Sequence, residues 1–416
     1  MIPLREQCDL LSKALKNRLV QADDTVFAAI SFDVIQDRLQ TLEGAFPQGC
    51  IHSVAIKSNP LREVLRFIAG EGYHAEAASM GEVRLALASG FTPDRIVFDS
   101  PVKTDQEIRW CVEHLSGAIV NANSLEELLS YPEKVPFHAG LRVNPAMGID
   151  THRSMDVSGS TSKFGEPLPR NPEPLASRLV TVDVLDTLHI HQGSQSRDFE
   201  AMAEGISKVI LLANMVNKLA GGEKIKTVDI GGGMPVNYEG EMAFGIDEYA
   251  AVLKEAVPEL FDGSFQVVTE FGRYVHAHAG WTVTRVEEVK QFQEKSVAVM
   301  HAGADLFLRE SYNPGEWPHK ISILGPDFQP RERTSMRIWD LAGPLCFGGD
   351  VPFRNVELPE IRKGDFILVH DTGANTHALW SRHCSRPFPK IIGYDKDEVR
   401  VIRKRESLDE IIRFWS

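Results

Sequence analysis

The sequence lacks the features that mark membrane-bound, secreted and nucleic-acid-binding proteins. It has no long basic run, and its 416 residues carry a formal net charge of −13. An acidic chain without basic clusters argues against nucleic acid and anionic membrane surfaces as partners. No segment reaches the length of a membrane span, and residues 1–7 lack the apolar core of a signal peptide.

Cysteine is also scarce, and its arrangement is informative. The chain has five cysteines, an odd number without metal-type spacing, at Cys8, Cys50, Cys111, Cys346 and Cys384. A disulfide framework and a metal site are therefore not predicted. We expect a reducing, cytoplasmic setting and a soluble enzyme that handles small molecules.

The pattern of apolar residues predicts an α/β fold in the first two thirds of the chain. Eight apolar strands are predicted near 51–57, 73–77, 95–98, 117–120, 137–143, 184–190, 226–230 and 265–270. Helical patterns follow most of them, as at Leu61–Ala69, Met80–Ala88, Ser124–Ser130 and Phe199–Leu219. Eight such repeats favour a parallel (β/α)8 TIM-like barrel over an open sheet, with its chemistry at the C-terminal strand ends.

The flanking segments predict a second, mainly β domain. Strand-like runs after residue 280 include Trp281–Val289, Ser296–Met300, Phe366–His370 and Val399–Ile402, and Gly and Pro punctuate them. We expect residues 26–280 to form the barrel. Residues 1–25 and 281–416 should form a β-sandwich or β-barrel domain that carries Cys346 and includes the N-terminal strand, Thr25–Ser31. The segment from 150 to about 181 should be a long loop over the barrel mouth.

A lysine closes the first predicted barrel strand. Lys57 ends an apolar stretch, and Pro60 follows it. Burial of an unpartnered ammonium is costly, so a desolvated lysine has a lowered pKa, and its free amine attacks aldehydes. The alternative is a strand-end lysine whose ammonium reaches water.

Later predicted strands end in residues suited to a phosphate. Glycines let the backbone approach a ligand closely, while N–H groups, a hydroxyl and a guanidinium can hold a phosphate. The candidates are Gly193, Ser194, Gly231, Gly232, Gly233, Gly272 and Arg273. A glycine run alone is more typical of a tight turn, so the interpretation depends on the whole set.

One ligand accounts for the whole set: pyridoxal 5'-phosphate, an aromatic aldehyde that carries a phosphate. Lys57 would form an imine with the aldehyde, and His191 would lie flat on the ring. Glu270 would pair with the ring nitrogen and keep it protonated, which strengthens the electron sink that carbanion chemistry needs. Each residue has a structural alternative: a core position for His191, and an ion pair of Glu270 with Arg273.

These residues resemble the fold-type III pyridoxal-phosphate decarboxylases, which include diaminopimelate, ornithine and arginine decarboxylases, with alanine racemase a more distant relative. The resemblance covers nearly the whole chain. Its motifs are Ala55–Asn59, Glu76–Glu82, Leu141–Pro145, Ser162–Gly165, His189–Gln195, Gly231–Gly233, Glu270–Arg273 and Gly343–Cys346.

The resemblance implies a head-to-tail homodimer with two shared active sites. It implies that Cys346 reaches the partner subunit's cofactor and supplies the proton that replaces the lost carboxylate, a task suited to a thiol of tunable pKa. The cofactor-binding residues that it indicates are Lys57, Glu76, Arg142, His191, Ser194, Gly231, Gly232, Gly233, Glu270, Gly272, Arg273 and Asn375. Racemases of this scaffold set an arginine against the ring nitrogen, so Glu270 and Cys346 favour decarboxylation, with racemase or epimerase as an alternative.

Several positions depart from the family pattern. The residue after the motif cysteine is commonly acidic and faces a distal amine, but here it is Phe347. Asn375 replaces a tyrosine near the cofactor phosphate, and Phe271 replaces a proline, whereas Asp350 is retained. Without the acid, a terminal ammonium would be buried unpaired, which disfavours lysine and ornithine as substrates.

An arginine indicates an anionic distal group instead. Arg309 lies where the diaminopimelate decarboxylases have Arg-Pro-x-x-Tyr, and a guanidinium fork suits a carboxylate; the alternative is a surface arginine. The predicted substrate-binding residues are Arg309, Tyr312, Phe347 and Asp350. We expect an amino-acid substrate with a remote anionic group, such as diaminopimelate or a citrate-conjugated amino acid of siderophore assembly. The alternative is a basic amino acid: ornithine, lysine or arginine.

Overall fold

The chain folds into two compact units in a computed structural model that describes residues 1–21, 23–148, 155–238, 245–332, 335–396 and 398–416. We call the first the β unit; it comprises Met1–Asp37, Asn237–Glu241 and His276–Ser416. The second, the barrel unit, comprises Arg38–Val236 and Met242–Val275.

The chain begins with α1 (Leu4–Lys16), β1 (Val26–Ser31) and α2 (Phe32–Ala45). The strands that follow, up to residue 269, are β2 (Ile51–Ala55), β3 (His74–Ala77), β4 (Ile96–Phe98), β5 (Ile119–Ala122), β6 (His138–Asn144), β7 (Glu166–Pro167), β8 (Leu185–His189), β9 (Thr227–Asp229) and β10 (Gln266–Thr269). The helices between them are α3 (Arg62–Gly70), α4 (Met80–Ala88), α5 (Asp105–His114), α6 (Leu125–Leu129), α7 (Glu173–Leu179), α8 (Phe199–Ala220) and α9 (Ile246–Ala256), and α10 (Gly272–His276) follows β10.

Eight of these strands form a closed parallel barrel, as predicted. Their order is β5-β4-β3-β2-β10-β9-β8-β6, and the pairing of β5 with β6 closes the ring. Val97, Ile119 and Val268, from three different strands, pack together with Ile51, so their side chains fill a core rather than line a pore. All eight strands therefore direct their C-terminal ends to the same mouth.

Helix caps fix where the barrel loops end. Ser79 caps α4: its hydroxyl accepts from the Glu82 N–H at 3.2 Å, while the Glu82 carboxylate accepts from the Ala78 N–H at 2.7 Å. Asp198 caps α8, since its carboxylate accepts from the Ala201 N–H at 2.8 Å, and Gly221, whose φ of 69° suits a glycine, follows the end of that helix. These caps anchor the loops that follow β3 and β8, which carry site residues.

The β unit continues with β11 (Gly280–Gln291), β12 (Ser296–Met300), α11 (Leu308–Tyr312), β13 (Ile321–Leu324), β14 (Met336–Ala342), β15 (Phe353–Pro359), β16 (Phe366–Val369), β17 (Lys390–Tyr394), β18 (Val399–Arg403) and α12 (Leu408–Phe414). Its strands form one sheet in the order β15-β14-β12-β11-β1-β17-β18, and β16 pairs with β11 and β13. Two apolar cores support it, one around Trp281 and Phe27 and the other around Trp339 and Phe307.

The N-terminal segment agrees with its prediction except at its boundary. Residues 1–25 lie in the β unit and contain α1, which buries Leu10, Leu11 and Ala14. The strand Val26–Ser31 pairs with β11 and β17, so the N-terminal strand belongs to the β unit as predicted, and the expected start of the barrel at residue 26 is corrected to Arg38. The expected loop from 150 to 181 holds β7 and α7, while its residues 150–154 lie outside the described ones. No helix within the described ranges is long and apolar enough to cross a membrane.

Candidate active site

Lys57 lies at the mouth of the barrel, just after β2. A single 3-10 turn, Ile56–Ser58, carries it, and its Nζ donates a hydrogen bond to Oε2 of Glu76 in β3. The Lys57 side chain is 45% exposed and the Glu76 side chain is fully buried. Partial removal from water favours the neutral amine, but the carboxylates of Glu76 and Glu270 outweigh this and raise the pKa of Lys57. The expected lowered pKa is therefore wrong for the chain by itself.

Glu270 follows β10 and is a buried carboxylate without a hydrogen-bond donor among the described residues. Its Oε2 lies 3.8 Å from both His189 Nε2 and His191 Nδ1. Burial, with the nearby charges of Asp229 and Glu76, raises its pKa well above the ordinary value. Buried polar atoms nearly always have a partner, so this one fits a cationic ring N–H of a ligand.

His191 presents a neutral ring. The Gly232 N–H donates to its Nδ1 at 3.0 Å, so Nδ1 is the acceptor and the proton of the neutral ring is on Nε2. Burial, with the cations of Arg142 and Lys57, holds the pKa of His191 well below its ordinary value. A neutral, flat imidazole is suited to packing on an aromatic ring, which is the role that the sequence predicts for His191.

The three consecutive glycines are required first by packing. A Cβ at Gly231 would lie 2.5 Å from the Ile190 carbonyl oxygen, and one at Gly233 would lie 2.7 Å from that of Gly193. The Gly231 N–H donates to Asp229 Oδ1 at 2.9 Å, and the Gly232 N–H is used by His191. The Gly233 N–H alone has no partner in the described part of the chain. The sequence predicts phosphate contacts from three glycines, and the geometry leaves one of them, the Gly233 N–H, available to a phosphate.

A guanidinium and a hydroxyl meet next to this turn. Arg273, in α10, donates from Nε to Ser194 Oγ at 3.2 Å. Gly272 permits this placement, because a Cβ there would lie 2.5 Å from Ser58 Oγ. The Gln195 N–H donates to the Gly233 carbonyl at 3.1 Å and ties the two loops together. Ser194, Gly233 and Arg273 thus form a donor group suited to a phosphate.

Two buried residues of the site, Asp99 and His189, were not among the predicted ones. Asp99 follows β4, and its Oδ2 accepts from Arg142 Nη1 at 3.1 Å. The same guanidinium donates from Nη2 to the His191 carbonyl at 3.3 Å. His189 ends β8, with Nδ1 at 3.3 Å from Asp99 Oδ1. The sequence signal that could have identified such residues is a polar residue at the end of an apolar strand, and Asp99 has this position after β4.

The remaining predicted residues lie in the β unit. The rings of Tyr312 and Phe347 stack at 6.0 Å with an interplanar angle of 25°. The Arg309 guanidinium lies 4.5 Å from the centre of the Trp317 ring. Cys346 is exposed, and Asn375 has a left-handed backbone with φ of 59°.

Asp350 serves the protein's own backbone. It is buried, its Oδ1 accepts from the Ala304 N–H at 2.6 Å, and its Oδ2 accepts from the Leu345 N–H at 2.6 Å. Both oxygens are thus engaged within the protein, which supports a structural role, and the predicted contact with substrate stays a prediction.

Comparison with known proteins identifies the chemistry. Residues 32–277 match the model of the pyridoxal-dependent decarboxylases, over their pyridoxal binding domain. The chain belongs to this family. Diaminopimelate decarboxylase of Methanothermobacter thermautotrophicus is 30% identical over 86% of this chain and 83% of its own length. That of Helicobacter pylori is 29% identical over 95% of this chain and 96% of its own length.

Solved structures agree with the fold of this decarboxylase. A crystal structure of Helicobacter pylori diaminopimelate decarboxylase complexed with L-lysine gives a TM-score of 0.85 at 28% identity, covering 96% of this chain and 99% of that one. Lysine/ornithine decarboxylase of Vibrio vulnificus, complexed with cadaverine, gives 0.77 at 22% identity, covering 94% and 99%, and supports the fold alone. The protein is a pyridoxal-phosphate-dependent amino-acid decarboxylase, and the unpartnered Glu270 and the donor group around Gly233 fit that cofactor.

Proposed function

We propose that this enzyme decarboxylates an amino acid whose distal end carries an anionic group. Diaminopimelate is the first candidate, and a citrate-conjugated amino acid of siderophore assembly is the second. The observation that carries the proposal is the aromatic ring of Phe347 in place of an acid after Cys346, stacked on Tyr312. Decarboxylation of ornithine, lysine or arginine is the alternative.

An aromatic pair cannot neutralise a terminal ammonium. At exposed sites the ring faces of Phe347 and Tyr312 give a weak cation–π attraction of about 0.5–1 kcal/mol, whereas a hydrogen bond to a charged group contributes about 1.5–3 kcal/mol. His383 also packs edge-on against Phe347 at 6.0 Å. A bulky, weakly polar neighbour of Cys346 therefore selects against small diamino acids.

A guanidinium in the same unit supplies the opposite charge. Arg309 is in α11, and its guanidinium lies over the Trp317 ring. A guanidinium presents a planar fork of N–H groups. A distal carboxylate is the group that such a fork binds best. The similarity to diaminopimelate decarboxylases supports diaminopimelate, and the departure at Phe347 supports the larger, citrate-conjugated candidate.

The barrel residues would hold the cofactor and keep it charged. Pyridoxal phosphate supplies an electron sink that stabilises the electrons released when the carboxylate leaves. Lys57 would bind the aldehyde covalently, with Glu76 orienting its amine. Glu270 would accept the ring N–H, and His191 would cover one ring face. Ser194, Gly233 and Arg273 would bind the phosphate.

Cys346 would return a proton to the carbon that loses its carboxylate, acting on the cofactor of the partner subunit in a head-to-tail dimer. A thiol is suited to this task because its S–H is acidic enough to transfer a proton and its acidity depends on the surroundings. Mixing two inactive variants, Lys57→Ala and Cys346→Ala, tests the shared site. Random mixing puts one intact site in half of the dimers, so about a quarter of wild-type activity should return. No recovery, with mixed dimers present, would place Lys57 and Cys346 in one subunit's site.

A substrate panel tests the distal group. We expect kcat/KM to be highest for meso-diaminopimelate or a citryl-amidated diamino acid, measured as released carbon dioxide. Arg309→Met should lower kcat/KM on that substrate by about 10- to 100-fold, the size of a lost charge-assisted hydrogen bond. Arg309→Lys, which keeps the charge without the fork, should lie between. Best turnover of lysine or ornithine would overturn the proposal.

A further inference from the structure

A chain of three buried side chains leads away from the proposed ring-nitrogen site. His189 lies between Asp99 and Glu270, with Nδ1 at 3.3 Å from Asp99 Oδ1 and Nε2 at 3.8 Å from Glu270 Oε2. All three residues are at least 95% buried. Neither His189 nitrogen makes a hydrogen bond of good geometry with the described residues.

We propose that Asp99 and His189 are positioning residues for Glu270: Asp99 orients the His189 ring, and that ring holds the Glu270 carboxylate where it can accept the ring N–H of the cofactor. The inference deepens the proposed function and rests on its pairing of Glu270 with the cofactor ring nitrogen. Asp99 and His189 touch neither substrate nor cofactor in this assignment; they act through Glu270.

The charges around the barrel mouth leave Glu270 without a cation of its own. Four buried carboxylates meet there: Glu76, Asp99, Asp229 and Glu270. Lys57 pairs with Glu76 and Arg142 pairs with Asp99. Asp229 accepts a backbone N–H at 2.9 Å. Among the described residues Glu270 therefore has no lysine or arginine of its own, and the neighbouring Asp229 carboxyl favours its protonated form.

The two histidines beside Glu270 are not equivalent. His191 Nδ1 already accepts the Gly232 N–H, so the nitrogen nearest to Glu270 has no proton to offer. His189 Nε2 is not used in this way, and it faces Glu270 directly. His189 is thus the imidazole that can place a proton between itself and the carboxylate.

Asp99 fixes the orientation of the His189 ring. Its Oδ1 lies 3.3 Å from His189 Nδ1, and its Oδ2 accepts from Arg142 Nη1 at 3.1 Å. Burial opposes ionisation of Asp99, but His189 and Arg142 outweigh it and hold its pKa well below the ordinary value. An ionised and anchored Asp99 therefore holds the His189 ring with Nε2 directed at Glu270.

The experiment uses the holoenzyme loaded with cofactor labelled with 15N at the ring nitrogen. We expect Asp99→Asn and His189→Gln to move the ring 15N resonance toward that of the neutral ring, as Glu270→Gln should. The pH at which the ring nitrogen loses its proton should fall, because a displaced Glu270 stabilises the ring N–H less. We expect kcat to drop by about 10- to 100-fold with little change in KM, the range seen when residues that orient metal ligands are removed.

A double variant separates action through Glu270 from an independent effect. If Asp99 works through Glu270, adding Asp99→Asn to Glu270→Gln should change kcat by less than about twofold. Multiplicative losses would overturn the inference. The matched control is Asp186→Asn, which removes an Asp–His pair with His138 (Nδ1–Oδ2 2.7 Å) in the same unit. That control should leave the 15N resonance and kcat unchanged.

The outcomes keep the two proposals apart. A Glu270→Gln enzyme with a wild-type 15N resonance would overturn the proposed ring-nitrogen pairing itself. A shift in Glu270→Gln without any in Asp99→Asn or His189→Gln would overturn only the present inference. Thermal melting of each variant checks folding, and rescue of the resonance by Asp99→Glu would show that a carboxylate is what His189 needs.

Discussion

Replacement of Asp350 tests whether the loop that carries Cys346 and Phe347 is held in place by a buried carboxylate. The Gly343 N–H donates to the Asp350 carbonyl at 2.8 Å and closes the loop. The Asp350 carboxylate accepts from the Leu345 N–H within the loop and from the Ala304 N–H outside the loop, both at 2.6 Å. No other side chain in the described part of the loop makes such contacts.

The size of the effect follows from these two bonds. Asp350→Ala leaves two buried N–H groups without an acceptor, at about 1–3 kcal/mol each. Asp350→Asn keeps the shape but turns one oxygen into an NH2 group that faces an N–H, so one bond is lost and two donors oppose each other. We expect a loss of stability of about 2–6 kcal/mol for alanine and roughly half of that for asparagine.

Urea unfolding of the cofactor-free protein measures the change as a shift of the midpoint at unchanged slope. The reaction rate of Cys346 with a thiol reagent reports the loop itself, measured in a Cys384→Ser background because both thiols are exposed. We expect the variants to change this rate and to lose kcat. The matched control, Asp327→Asn, removes one exposed carboxylate that accepts from the Gln329 N–H, and should shift stability by less than about 1 kcal/mol.

One result would refute the structural role of Asp350. If Asp350→Asn kept wild-type stability and Cys346 reactivity but raised KM alone, the carboxylate would be a substrate contact after all. The internal hydrogen bonds would then have to open when substrate binds.

Three further predictions concern chemistry and pH. Lys57→Ala should lose the visible absorbance band that borohydride shifts in the wild type, whereas an unchanged band would remove Lys57 from cofactor attachment. Cys346→Ala should retain the cofactor spectrum but lose most decarboxylation, and an unchanged rate would exclude the thiol. Burial lowers the pKa of His377 to about 4 in the folded protein. As pH drops from about 6.5 toward 4, the unfolded chain therefore binds a proton at His377 that the folded chain does not, and stability should fall. His377→Leu should flatten that part of the urea-midpoint profile, and an identical profile would contradict the shift.

The barrel was predictable because each strand and helix carries its own local signal. Strands β2–β6 and β8–β10 lie within a few residues of their predictions, and Met80–Ala88 and Ser296–Met300 agree at both ends. Strict alternation of buried strands and amphipathic helices leaves few folds other than a closed parallel sheet. The ring closure by β5 and β6 needed no separate signal, since eight units close it.

Short helices without a clear period were not predictable. The seven-residue α7 begins among prolines and buries Leu175, Ala176 and Leu179. Such a segment has too few turns to show a helical repeat, and its Ser, Pro and Arg content is typical of a loop. Its stability comes from packing within the barrel unit, where it contacts α8, and the local sequence does not reveal that contact.

The site residues also divide into those that the sequence identifies and those that it does not. Lys57, His191 and Glu270 could be found because each ends a strand next to a recognisable motif. The Asp99–His189 pair could not, because its partners come from β4 and β8, which are not neighbours in the barrel. Contacts across the ring depend on the radius and tilt of the barrel, and no spacing in the sequence encodes them.

The raised pKa of Lys57 shows how a residue that the sequence identifies depends on contacts that the sequence does not reveal. An amine that attacks an aldehyde must be neutral, yet Glu76 and Glu270 stabilise its ammonium. Lys57 can lose its proton more easily if the negative charge around it falls, and pairing Glu270 with a cation does this. The same pairing needs an ionised Glu270 held at the ring nitrogen, which is the role proposed for Asp99 and His189. In the proposed site the nucleophilicity of Lys57 is set by the charge balance of the barrel mouth rather than by burial. The sequence indicates burial alone, and it therefore predicted the direction of the Lys57 pKa incorrectly.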